Sequence, residues 1–186
     1  MKQTTGLLVG VLLLGAAGMG RADPVDHGAG VVAGGGILGS RLSNRSYLGL
    51  IYDWSLPEAW QDHLTEGFRM RAEGNLSRWW GCEGTDCGYV TDAGITPAFR
   101  FCPSSSDRTS WYVDFAVGVH LISRTSIGDQ VYSTAFQFGE FTGVGLLFGD
   151  DHRYDLGVRY MHESNADLKL PNDGMNFLQL QLVLRW

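Results

Sequence analysis

Phe177-Leu178-Gln179-Leu180-Gln181-Leu182-Val183-Leu184-Arg185-Trp186 ends the chain, and the period of this stretch decides the fold. Leu178, Leu180, Leu182, Leu184 and Trp186 are apolar, while Gln179, Gln181 and Arg185 on the other parity are polar and only Val183 departs. Successive side chains of a β-strand point to opposite faces, so a period of two means a strand with two unlike surfaces. One face asks for hydrocarbon and the other for polar partners.

The same split recurs upstream. Trp111, Val113, Phe115, Val117, Val119 and Leu121 oppose Tyr112, Asp114, Ala116, Gly118 and His120, and Phe68, Met70, Ala72 and Leu76 oppose Arg69, Arg71, Glu73, Asn75 and Ser77. Eight strands are predicted, over 28–38, 45–54, 65–78, 89–101, 110–122, 134–148, 153–163 and 175–186. Turn-rich stretches such as Gly39-Ser40, Pro103-Ser104-Ser105-Ser106-Asp107 and Gly149-Asp150-Asp151 separate them. Strands of this length suit a tilted crossing of a bilayer, and eight is the smallest common closed membrane barrel. The expected fold is all-β, an eight-stranded antiparallel transmembrane β-barrel.

A soluble lipocalin-like barrel has the same alternation with its apolar side inward. The polar parity here carries Arg69, Arg71, Glu73, Arg100, Asp114 and His120, which suits a paired, hydrogen-bonded lumen and places the apolar parity in lipid. An apolar-face aromatic at the chain end, Trp186, also resembles the last strand of outer-membrane barrels.

Composition narrows the function. The 186 residues are 44% hydrophobic and 18% charged, which excludes a disordered chain, and a formal charge of -6 argues against nucleic-acid binding, which needs many Lys and Arg against phosphates. Lys2, the apolar run from Leu7 to Met19 and the small-x-small Gly20-Arg21-Ala22 read as a signal peptide over 1–22, leaving an outer-membrane barrel domain over 23–186. Export puts the cysteines in an oxidising compartment. Cys82 and Cys87 fall in an extracellular link and Cys102 at the periplasmic end of a strand, so a Cys82–Cys87 disulfide is expected, with three free thiols as the alternative. His27, His63, His120 and His152 lack metal-ligand spacing; no metal site and no cofactor are expected, and His120 reads as a hydrogen-bonded interior group. Gly34 to Gly36 read as a bend or a close strand packing.

Chemistry gathers before the last strand, in Arg159-Tyr160-Met161-His162-Glu163-Ser164-Asn165-Ala166 followed by Leu170-Pro171-Asn172-Asp173-Gly174. Tyr154, Leu156, Val158, Tyr160, His162 and Ser164 share one parity, so His162 and Ser164 prolong the lipid-facing stripe at its outer end. A His and a Ser there suit an enzyme acting on a lipid and do not suit a pore.

The run His162-Glu163-Ser164-Asn165-Ala166, with Lys169, Pro171, Asn172 and Gly174, resembles the lipid A 3-O-deacylases (the PagL type). Leu48-Gly49-Leu50 with Asp53-Trp54, Ile127-Gly128-Asp129-Gln130, and Phe138 before Gly143-Val144-Gly145 extend the resemblance more loosely. It implies an outer-membrane hydrolase that removes the 3-O-linked 3-hydroxyacyl ester of lipid A or lipopolysaccharide. By the same resemblance Ser164 is the nucleophile and His162 its general base, Asn165 and Asn172 are candidates to stabilise the oxyanion or fix the turn, and Phe138 contacts the acyl chain. The family's third triad member, a Glu two residues beyond the turn glycine, is replaced here by Asn176. Asn176 shares the outward parity and an Asn can orient a catalytic His, while Glu140 on the neighbouring strand is the alternative partner. Two other readings stay open: a non-catalytic structural or adhesion barrel that has lost its triad, and an outer-membrane phospholipase. The sequence allows a homodimer and does not require one.

Overall fold

The computed structural model describes residues 27–37, 43–103 and 109–186; the expected signal peptide, the Gly39-Ser40 turn and most of the 103–107 turn lie outside them. The strands are β1 His27–Gly36, β2 Ser43–Ser55, β3 Phe68–Glu83, β4 Asp86–Phe101, β5 Thr109–Ile122, the two-residue β6 Ser126–Ile127 and β7 Gln130–Val131, β8 Phe136–Phe148, β9 Tyr154–Ser164 and β10 Met175–Arg185. A single-turn helix α1, Glu58–Gln61, lies between β2 and β3, and a 3-10 turn, Asp150–His152, joins β8 to β9. Eight strands close in the order β1-β10-β9-β8-β5-β4-β3-β2, each pair antiparallel, and β6 and β7 form a small separate ribbon. Every strand therefore has two neighbours, which satisfies the backbone in hydrocarbon and removes sheet edges.

The eight predicted strands are the eight of the barrel, with two local differences. β3 begins at Phe68, and β3 and β4 run on to Glu83 and Asp86, so the link around the cysteines is a tight turn at Gly84-Thr85 with Gly84 at φ 58°. The cross-strand pair Cys82 and Cys87 is joined by a disulfide with Cα atoms 4.0 Å apart, and Cys102 is unbridged at the opposite end. Burial raises the Cys102 thiol above its ordinary pKa. Arg69 is the second difference. It is exposed and bonds the Phe68 carbonyl, outside the interior network, because it sits where the β3 end projects beyond the lumen.

Parity holds along the strands. Leu178, Leu180, Leu182, Val113, Phe115, Val117 and Val119 all face outward, while Gln179, Gln181, Arg71, Glu73, Arg100 and Asp114 are buried inside. Aromatic rings collect at the ends of this apolar belt, with Tyr52, Trp54 and Trp186 in contact at one end and Phe136 edge-on to Phe138 at the other. Such girdles mark the two bilayer interfaces. The glycines of β1 bring β10 close: a Cβ on Gly30 would lie 2.1 Å from the Leu182 carbonyl oxygen, and one on Gly34 2.2 Å from that of Leu178.

Inside, four arginines interlock with four carboxylates. Arg71 bridges Asp53 and Asp114, Arg100 bridges Asp114 and Asp155, Arg185 bridges Asp155 and Asp53, and Arg159 holds Glu73. Tyr112 and Gln181 donate further hydrogen bonds to Asp155, at 2.6 and 3.2 Å. Nearer the other end the filling turns aromatic, with Trp79 packed against Tyr132 and Phe177, and Phe177 against Tyr47.

Asp155 has the most partners in this lattice, and removing it takes one of two carboxylate partners from each of the buried Arg100 and Arg185, leaving the lattice one negative charge short. Asp155→Ala should lower stability by about 3–5 kcal/mol, read as an earlier urea unfolding midpoint of the refolded barrel. Non-reducing peptide mapping should recover the Cys82–Cys87 bridge with Cys102 alkylated; a bridge from Cys102 to either would contradict the arrangement.

Candidate active site

The outer end of β9 is built by the same alternation as the rest of the barrel. Met161 and Glu163 are buried inside, whereas Tyr160, His162 and Ser164 stand on the outer surface. Register supplies the neighbours: Asn176 of β10 lies opposite His162 on one side, Glu140 of β8 lies opposite it on the other, and Phe138 lies opposite Ser164. Either flank could have oriented the imidazole. The hydrogen bond goes to Asn176, with His162 Nδ1 2.7 Å from Asn176 Oδ1, and among the described residues Glu140 has no hydrogen bond to His162.

Because Asn176 Oδ1 can only accept, the imidazole in this arrangement carries its proton on Nδ1 and leaves Nε2 as the basic atom. Asn176 Oδ1 also accepts from the Tyr160 hydroxyl at 2.5 Å. Two donors thus converge on one amide oxygen and fix its direction. Tyr160 escaped the sequence reading because its parity marked it only as part of the lipid stripe; its hydroxyl was the signal, since a phenol usually finds a partner. Ser164 Oγ has no hydrogen bond to His162 among the described residues, in keeping with the long nucleophile–base contacts common before substrate arrives.

After Ser164 the chain reverses through Ala166 and Asp167, both left-handed at φ 52° and 59°, and returns through Gly174 at φ 61°. Gly174 is needed twice over, because a Cβ there would also come within 3.0 Å of His162 Cε1. The expected oxyanion donors are spent within this loop. Asn165 is fully buried, its side-chain amide donating to the carbonyls of Tyr132 and Lys169 at 2.8 Å, and its backbone N–H donates to Asn172 Oδ1 at 3.1 Å. Asn172 in turn donates to Asp167 at 3.0 Å, so it holds the turn. Both asparagines position the Ser164 loop, the turn-fixing one of the two roles expected for them.

The segment between β5 and β8 braces that loop from the other side. Val131 N–H donates to Asp173 Oδ2 at 2.7 Å, Asp173 N–H to the Val131 carbonyl at 3.0 Å, Ser133 Oγ to the Pro171 carbonyl at 2.6 Å and Gln130 Nε2 to the Gly174 carbonyl at 2.8 Å. Burial raises the Tyr132 phenol in this brace well above its usual range, helped by the nearby Glu163 and Asp173 carboxylates. It stays neutral. At the tip, Leu168 and Leu170 are each 69% exposed, next to the outward stripe.

The model of the family described as lipid A 3-O-deacylase (PagL) matches residues 46–185, three-quarters of the chain, including this whole rim. The chain belongs to the lipid A 3-O-deacylase (PagL) family. A lipid A deacylase PagL from Bordetella bronchiseptica is 35% identical over 111 residues, 60% of this chain and 59% of that protein, so the chain spans rather less than two-thirds of that relative. One from Pseudomonas aeruginosa is 31% identical over 134 residues, 72% of this chain and 73% of that protein. The crystal structure of the outer membrane enzyme PagL has the same fold, with a TM-score of 0.64 at 24% identity over 85% of this chain and 98% of that one. PagL-family membership and the closed barrel together make this an outer-membrane protein.

Two substitutions read the imidazole's partner directly. Asn176→Ala should lower turnover by ~10²–10⁴-fold, the scale on which losing a His orienter acts, whereas Glu140→Gln should leave the rate nearly unchanged in the same detergent-micelle assay of fatty-acid release. The opposite ranking would move the partner to Glu140.

Proposed function

We propose that this chain hydrolyses the ester that links a 3-hydroxyacyl chain to position 3 of lipid A, acting on lipopolysaccharide in the outer leaflet, with Ser164, His162 and Asn176 as its reactive set. The observation that carries the reading is the His162–Asn176 hydrogen bond on the lipid-facing surface, one residue pair from Ser164 and Phe138. A pore would put such groups in the lumen.

In the proposed reaction the ester carbonyl enters beside Phe138 and Ser164 Oγ attacks it while His162 Nε2 takes the hydroxyl proton. Asn176 Oδ1 holds the Nδ1–H and so leaves Nε2 to act as the base. The tetrahedral oxyanion needs donors placed where its charge develops. With the asparagine side chains and the Asn165 N–H committed to the loop, that role falls to the backbone N–H groups of Ala166 and Asp167. Collapse expels the sugar 3-hydroxyl, protonated by the imidazolium, and leaves an acyl-serine. Water then adds under the same base and releases the 3-hydroxy fatty acid. All three reactive side chains come from one chain, so a homodimer is not needed for the chemistry. Residues 1–22 serve in this reading as a cleaved export signal.

Asn176 cannot neutralise the imidazolium as the family carboxylate would. This is the feature that favours the second reading, a barrel without activity; against it stand the intact His162–Asn176 bond and the Tyr160 hydroxyl that reinforces it. Ser164→Ala should abolish release of 3-hydroxy fatty acid, seen by mass spectrometry of lipid A from expressing cells, while the barrel still folds and shifts on heating in SDS gels. Release of glycerophospholipid acyl chains instead would favour the phospholipase reading. Wild-type cells with unmodified lipid A and phospholipid would favour the inactive barrel.

A further inference from the structure

Directly behind the rim, inside the barrel, lies a cluster that the reaction above does not use. Asp92 of β4, His120 of β5 and Glu163 of β9 are all buried, and one donor atom from each lies within 4.8 Å of the other two. His120 Nδ1 is 3.0 Å from Asp92 Oδ1. The outer oxygen of Asp92 is already held, with Asn75 Nδ2 and Ser77 Oγ donating to Oδ2 at 2.6 and 3.0 Å. His120 Nε2 is paired with Thr96 Oγ1 at 3.1 Å.

Two buried atoms at the cluster have no partner, Glu163 Oε1 and Asn75 Oδ1, in residues only 3% and 9% exposed. Asn75 Oδ1 and His120 Nδ1 converge on Gly94, each 2.6 Å from the point a Cβ would occupy. The missing side chain at Gly94 therefore lets a nitrogen and an amide oxygen both close in on the β4 backbone. Gly139, paired with Glu163 across β8 and β9, has a position for a Cβ only 2.2 Å from His120 Nε2, so the backbone there also makes room for the imidazole.

Charge decides what that cluster is for. The four interior carboxylates Asp53, Glu73, Asp114 and Asp155 are matched by Arg71, Arg100, Arg159 and Arg185. Asp92 and Glu163 are matched by no arginine or lysine among the described residues; the one basic group beside them is His120. A buried unpaired carboxylate is costly, and buried charges are paired or coordinate metals. Two carboxylates with a neutral imidazole need a charge of two, which one divalent cation supplies.

We propose that Asp92, His120 and Glu163, with Asn75 Oδ1 as a fourth donor, form an interior site for a divalent cation of the zinc class. The donor set of one imidazole nitrogen and three oxygens is of the kind that binds Zn²⁺ and its neighbours in the first transition row. Thr96 on His120 Nε2, and Asn75 Nδ2 with Ser77 on Asp92 Oδ2, orient the ligands as outer-sphere partners do. The ion ties β3, β4, β5 and β9 together at the level of the rim. Because Glu163 sits between His162 and Ser164 in sequence but on the opposite face, it anchors the inside of the strand whose outside carries the reactive pair.

The test is the metal content of the untagged, full mature chain, refolded with Zn²⁺ and desalted. One Zn²⁺ per chain is expected, and Co²⁺ in its place should give visible d–d absorption that Zn²⁺ displaces. Glu163→Gln and Asp92→Asn, which nearly preserve shape, should each weaken Zn²⁺ binding by at least ~10-fold while the barrel still shifts on heating. Wild-type protein that folds and retains no Zn²⁺ or Co²⁺ overturns the proposal, as does retention equal in both variants, which would place the ion on the surface. A protonated-carboxyl infrared band in metal-supplemented wild type that disappears in Glu163→Gln also overturns it, since a shared proton would then balance the charge. Should a variant fail to fold, the wild-type content and cobalt spectrum decide alone.

Discussion

The arginine–carboxylate lattice in the lumen is the constraint on which the barrel depends. A closed eight-stranded barrel leaves room inside only for side chains, and half the residues of every strand must point there. Because the outer faces are committed to lipid, the inner faces take the polar groups, and these must satisfy one another away from bulk water. Arg71, Arg100 and Arg185 each bridge two carboxylates, and Asp155 binds both Arg100 and Arg185 while accepting from Tyr112 and Gln181. Such a network contributes less through net ion-pair energy than through the cost of any arrangement that leaves one member unpaired. The closing register of β1 with β10 is coupled to it, since Arg185 on β10 reaches Asp53 on β2.

With the lumen filled, the outer surface is where a ligand can be met. The stripe along β9 passes from apolar residues into Tyr160, His162 and Ser164 near the aromatic end of the belt. The proposed substrate, an amphiphile of the outer leaflet, would bring its ester groups to this end of the stripe with its acyl chains against the barrel wall. Under the proposed function access is lateral, and water for the second half of the ester hydrolysis comes from the rim. The brace from Gln130 to Ser133 onto the 170–174 segment keeps the loop after Ser164 in one place, which a reaction needing oriented groups requires.

The Asn at position 176 changes the electrostatics of the site more than its geometry. An amide oxygen orients the imidazole by direction alone and adds no charge when the imidazolium forms. Tyr160 adds a second donor to that oxygen and so restrains the amide that a carboxylate would not need restrained, its two oxygens being equivalent.

Much of this was legible in the residues alone, and the reason is local. A period of two is a property of the strand backbone, so the outward face of His162, Ser164 and Asn176 and the inward face of Arg71, Glu73, Arg100 and Asp114 followed from counting. The motif from His162 to Gly174 carried the family. The close Cys82 and Cys87 followed from one short link. Other features depended on which residue stands beside or across from which. Asn176 and Glu140 flank His162 equally in register, and only side-chain reach showed that the hydrogen bond goes to Asn176. Asn165 and Asn172 could be read either as oxyanion donors or as turn-fixing residues, and only their loop partners favoured the second. Asp92, His120 and Glu163 lie on three strands and meet across the lumen, where the stagger of the closed barrel, not any sequence spacing, sets their distance.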